Sequence, residues 1–123
     1  MLSLTELKNR CPNLADVDDA LCAAYEDISR RYDGLGVHMD DNADLMFSNH
    51  VMCLLKRIET GEYVPAMDEE LFAELSDRAR EMASDLMADA FSKAGQEPDK
   101  TEVLMLATHL DVAMAKEKEG LEQ

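Results

Sequence analysis

Apolar residues recur along this chain at three- and four-residue intervals, the spacing of one helical face. A short amphipathic segment, Ser3–Arg10, comes first and is closed by Pro12. From Asp16, the positions Val17, Leu21, Ala24, Ile28 and Tyr32 predict a second helix that stops at Gly34 and Gly36. Asn42 or Asp44 caps a third, carrying Met46, Phe47, His50, Val51, Leu54, Leu55 and Ile58, with Gly61 as its stop. Asp68-Glu69-Glu70 reads as the acidic first turn of a long fourth helix. Its apolar stripe runs through Leu71, Phe72, Leu75, Ala79, Met82, Ala83, Leu86, Met87 and Phe91 to a stop at Gly95. Pro98-Asp99 opens the last helix, with Asp99 and Glu102 spaced like a capping box. No stretch alternates as a strand does. The expected fold is all-α: one domain over residues 1–123, built as a compact bundle of about five helices.

Length and composition narrow this further. A chain of 123 residues with 46% hydrophobic content can bury one core without disulfides. Six aromatic residues and no Trp leave that core to Leu, Met, Ala, Val and Ile, and nine Met suit an adaptable helical interior. The formal charge is −15, with no run of more than two Lys/Arg. Nucleic-acid affinity rests on cations placed against phosphates, so direct DNA or RNA binding is not expected. Acidity serves solubility first and a basic protein partner second. The three cysteines, Cys11, Cys22 and Cys53, are odd in number and match no zinc spacing. No secretory leader precedes them, and the longest apolar runs are too short to span a bilayer. The expectation is a reduced, cytoplasmic protein without a membrane anchor.

Candidate chemistry sits in two strings. Asn49-His-Val-Met-Cys-Leu-Leu-Lys-Arg57 places His50 seven residues before Arg57. Thr101-Glu-Val-Leu-Met-Leu-Ala-Thr-His109 places Glu102 seven before His109. Seven residues are two helical turns, so each pair shares a face. A helical metal site needs further ligands three or four residues away, and around His109 those positions are Met105, Leu106, Val112 and Ala113. Around His50 only Cys53 qualifies, so no metal is expected. A His50/Cys53 nucleophilic centre is a possible enzyme, but the apolar surroundings of Cys53 favour a buried structural thiol. There is no phosphate-binding glycine loop, nucleophile elbow or other cofactor motif. Taken singly, His109 reads as a satisfied core histidine, Arg57 as a cation near a helix C-terminus and Glu102 as a cap. His38, in an acidic loop with glycines, is given no role.

Taken together the strings resemble a known pattern. His50-Val-Met-Cys-Leu-Leu-Lys-Arg57, followed by Gly61, resembles the first signature of the PTS regulation domain (PRD) family. Pro98-Asp-Lys-Thr-Glu102-Val-Leu-Met-Leu-Ala-Thr-His109-Leu resembles the second. The 59 positions between the two histidines also match the family's spacing, and the layout agrees over about residues 17–118. The resemblance implies an all-α bundle, commonly a homodimer. It implies histidines phosphorylated by the sugar phosphotransferase system, through its phosphocarrier or a sugar-specific subunit. In the family, phosphorylation changes dimer packing and switches an attached nucleic-acid-binding domain. His50 and His109 would then be phosphoacceptors, with Arg57, Glu102 and Asn49 in support. Two positions depart from the pattern: Asn49 stands where an Asp commonly precedes the first histidine, and Leu104 where a small residue commonly follows the Glu.

The expectation is therefore a stand-alone PRD-like regulatory protein and not an enzyme. It would need no cofactor and would act on transcription through a separate regulator. The alternative is a non-phosphorylated helical interaction or dimerisation module with structural histidines.

Overall fold

The computed structural model describes residues 1–14 and 16–121, with the side chains of 118–121 left out of account. Five α-helices follow in order: α1 (Leu4–Arg10), α2 (Asp19–Asp33), α3 (Asp41–Thr60), α4 (Asp77–Lys93) and α5 (Lys100–Leu121). Short 3-10 turns at Pro12–Leu14 and Glu69–Phe72 join them, and no strand occurs among the described residues. The last two helices pair most extensively. α3 packs on α2 and α5, α2 reaches α4, and α1 closes the end formed by α2 and α3. One core joins all five, with Tyr25, Phe47, Met52, Leu54, Met87, Phe91, Leu106 and Leu110 at its fully buried centre.

Three helix starts differ from the sequence pattern, each because another side chain captures the free N–H groups of the first turn. Asp18, not Asp16, caps α2 by accepting from Leu21 N–H at 2.8 Å. Asp40, not Asn42 or Asp44, caps α3 by accepting from Ala43 N–H at 2.8 Å. The long fourth helix expected from Asp68 is broken. Asp68 caps only the 3-10 turn, and Ser76 starts α4 by accepting from Ala79 N–H. Arg80 reaches back from α4 and donates to the carbonyls of Phe72 and Leu75, satisfying acceptors the break exposes. Leu71, counted in the apolar stripe, consequently points to solvent at 67% exposure.

The stops behave as glycine chemistry requires. Gly61 has φ of 77°, and its N–H and that of Glu62 turn back to the carbonyls of Ile58 and Arg57. Residues with a Cβ rarely adopt that conformation. The helix therefore ends three residues after Arg57, at Thr60, and the chain leaves toward α5. There it docks: Val64 N–H donates to Asp99 Oδ2 at 3.0 Å, and Tyr63 OH donates to the Glu97 carbonyl at 2.6 Å. The start of α5 is thus fixed against the end of α3, the junction in which the charged residues of the two strings meet.

Candidate functional site

The two strings form facing stretches of α3 and α5. Val51, Leu54 and Leu55 on one, and Leu106, Ala107 and Leu110 on the other, enter the core. That burial turns the intervening ionisable residues toward each other. At the head of α5, Asp99 is half of a capping box: its Oδ1 accepts from Glu102 N–H at 3.3 Å. Glu102 does not return the bond to the cap. Its side chain runs to α3 instead, where it is 1% exposed.

Arg57 meets that carboxylate with a forked pair. Nε donates to Oε2 at 2.9 Å and a terminal nitrogen donates to Oε1. A planar guanidinium and a carboxylate fit in this two-pronged way, which fixes both charge and orientation. His50 Nε2 lies 3.3 Å from Glu102 Oε1. Burial alone would push the Glu102 carboxyl upward, but the bonds to His50 and Arg57 outweigh it and hold the group below its ordinary range. The same bond raises Arg57 against its own desolvation. An ionised carboxylate only accepts, so the hydrogen between the two residues belongs to Nε2 of His50.

His109 completes the cluster without joining the ion pair. Its ring stands edge-on to His50 at 5.7 Å between centroids and edge-on to Phe47 at 6.0 Å. It has no hydrogen-bond partner among the described residues. Burial, and secondarily the neighbouring His50, lower its proton affinity, which favours the neutral ring. A neutral imidazole keeps one nitrogen lone pair free for an electrophile.

The structure thus brings together His50, His109, Arg57 and Glu102. Asn49 stands apart: its Oδ1 accepts from Cys53 Sγ at 3.9 Å, and the ring of His50 is oriented by Glu102 rather than by its chain neighbour. Cys53 is half-buried and turned to Asn49, not to His50. Leu104 is buried. Among the described residues no three His, Cys, Asp or Glu side chains are grouped to hold a metal ion, and no helix is long and apolar enough to cross a membrane.

A feature absent from the sequence reading is a cavity of about 500 Å³ between the N-terminal half of α3 and the C-terminal half of α5. His109 lines it, as do His38, Met39, Met46, Val112 and Lys116. His38 was given no role because nothing in its local spacing ties it to the distant α5. The tie is made by its own N–H, which donates to Glu117 Oε1 at 3.0 Å.

Comparison with known proteins supplies the family. A family model described as "PRD domain" matches residues 25–113, from within α2 into α5. The crystal structure of a PRD-containing transcription regulator from Lactobacillus casei ATCC 334 is similar, with a TM-score of 0.72 and 24% identity. The match covers 94% of this chain and 98% of that one, and at this identity it is a likeness of fold. No curated protein matches the sequence.

Proposed function

Because the chain belongs to the PRD domain family, we propose that it is a regulatory protein phosphorylated on histidine, within the His50/His109 pair, by the sugar phosphotransferase system. The observation that carries this reading is the cluster itself. Two histidines 59 positions apart stand 5.7 Å apart, beside a buried carboxylate and an arginine. A core needs no such arrangement: burying charges costs several kcal/mol on the order of each ion, and apolar residues of the same size would avoid that. A charged junction between two helices is, however, a fitting element for a switch. A phosphoryl group brings about −1.5 to −2 charges. Placed beside Glu102, it repels the carboxylate and competes for Arg57, and so works on the α3–α5 contact.

The role is regulatory rather than enzymatic. Cys53 and His50 do not form a nucleophile–base pair, and His50, Arg57 and Glu102 are engaged with one another. The phosphocarrier or a sugar-specific subunit would be the donor. A homodimer of this chain, or a separate transcriptional regulator, would carry the output, in the cytoplasm where the donors work.

The test is direct. The chain is incubated with phosphoenolpyruvate and the general phosphotransfer proteins, and an acid-labile phosphoryl group is sought. Transfer that requires His50 or His109 is the expected result. Absence of any transfer to the folded protein would favour the rival reading, a helical interaction module with structural histidines. The full pairing of Glu102 is the observation on that rival's side.

A further inference from the structure

The two histidines are not equivalent. His50 is 13% exposed, and its Nε2, the ring nitrogen farther from the backbone, is committed to Glu102. That leaves Nδ1 as the only lone pair on a neutral ring, on the side next to its own helix. The lining of the large cavity does not include His50. His109 differs on the second and third counts. Its ring nitrogens carry no bond to another described residue, and it forms part of the wall of the 500 Å³ cavity.

The rim around His109 suits an incoming group. Met46 and Val112, both about half exposed, give the mouth an apolar edge. The acidic rim residues are already engaged: Asp40 Oδ2 lies 3.7 Å from Lys116 Nζ, and Glu117 accepts from His38 N–H. The rings of Phe47 and His50 stand edge-on to His109 and fix its plane.

We propose that His109 is the phosphoryl acceptor of this domain and that His50, held by Glu102, is a positioning residue that takes no phosphoryl group. This rests on the reading of the domain as a phosphorylation sensor and assigns its chemistry to one ring. The step is a transfer from a phosphoramidate, either a phosphohistidine on a protein or a small phosphoramidate. A lone pair of a His109 ring nitrogen forms a new N–P bond as the donor's N–P bond breaks. The electron pair of the broken bond returns to the donor nitrogen, which takes up a proton from solvent. His50 stands edge-on to the His109 ring, and its own Nε2 is held by Glu102, which Arg57 pairs.

The experiment has two arms on the full chain. In the first, potassium phosphoramidate is the donor and labelled sites are mapped by mass spectrometry under conditions that preserve phosphohistidine. Exposed His38 serves as the internal measure of an unrestrained imidazole. Label is expected on His38 and His109 and not on His50; in urea all three should label alike. In the second arm, phosphoenolpyruvate and the general phosphotransfer proteins are the donor, and His109 alone is expected to label. H109Q should lose that label and H50Q should keep it, with circular dichroism checking both folds. Label on His50 in the folded protein, or none on His109 while His38 is labelled, overturns the assignment, and mapping on the unsubstituted chain decides this even if a variant unfolds. Label on His109 in the first arm alone leaves the assignment standing and overturns the proposed donor instead.

Discussion

Arg57 and Glu102 form a forked ion pair across the α3–α5 contact in which the two charges are unequally placed: the Glu102 side chain is 1% exposed and that of Arg57 is 28% exposed. Removing either partner therefore has different consequences. Arg57→Ala strands a buried carboxylate with only His50 to compensate it, and is expected to destabilise the fold by about 3 kcal/mol. Glu102→Gln leaves a guanidinium that already reaches water, and is expected to cost about 1 kcal/mol. Urea unfolding of the two variants gives the order directly. Equal losses, or a larger loss in Glu102→Gln, would show that the pair's energetics do not follow this asymmetry.

How much of this was legible in the sequence depends on the range of the interaction. The helices were legible because their apolar spacing is local, and the stops at Gly61 and Gly95 were legible because both glycines take positive φ. The helix starts were less so. Several Asp, Asn and Ser residues compete as caps within a few positions, and only packing decides among Asp16 and Asp18, or Asp40, Asn42 and Asp44. The break before Ser76 was hidden because Leu71, Phe72 and Leu75 have helical spacing whether or not the helix is continuous. In the site, the spacing within each string gave the shared faces. That Glu102 would turn from its cap to Arg57 and His50 is a matter of the α3–α5 approach, which no local pattern encodes. Asn49 draws notice because the family pattern commonly has an Asp before the first histidine, yet on a helix neighbouring residues point about 100° apart, and it faces Cys53 instead.

The stop after Arg57 should be sensitive to a single methyl group. Nothing lies within 4 Å of a Cβ built on Gly61, so Gly61→Ala meets no clash and suffers only the left-handed conformation, φ 77°. A loss of roughly 1–2 kcal/mol is expected. Gly34, at φ −73°, is the internal control: its Ala variant is expected to be neutral or to stabilise by about 0.5 kcal/mol through the unfolded chain. Thermal melts of the two single variants distinguish a conformational cost from a general intolerance of substitution at helix ends.

The N-terminal segment is tied to the α2–α3 pair through one residue's backbone. Leu2 N–H donates to Ser48 Oγ at 2.9 Å, and the Leu2 carbonyl accepts from Tyr25 OH at 2.7 Å. Both side chains are buried, and burial pushes the Tyr25 phenol up to about 12. Ser48→Ala leaves a buried N–H without a partner and should cost about 2 kcal/mol. Tyr25→Phe leaves a carbonyl unpaired and should cost about 1 kcal/mol, with the fold retained. The double variant should fall short of the sum, because freeing one end of Leu2 already loosens the other. Strict additivity in a double-mutant cycle would show that the two bonds hold the segment independently.

Acid should loosen the α3–α5 junction in two separate windows, one for each shifted group. His109 binds its proton less readily in the folded chain than at its ordinary value of 6.5, chiefly through burial and then through His50. The unfolded chain therefore takes up more protons just below that value, and stability falls as the pH drops through it. Glu102 is shifted down from its ordinary 4.5: burial opposes this, and the bonds to His50 and Arg57 prevail. Its contribution is complete above that value and is lost as the pH falls toward and through the folded value. The two shifts act in the same direction, so each is read from a difference between proteins. His109→Gln should flatten the stability profile between about pH 7 and 5.5 and leave the lower limb in place. Glu102→Gln should flatten the limb below about pH 4.5. Chemical unfolding at a series of pH values measures both, and an unchanged upper limb in His109→Gln would place the first titration on another group.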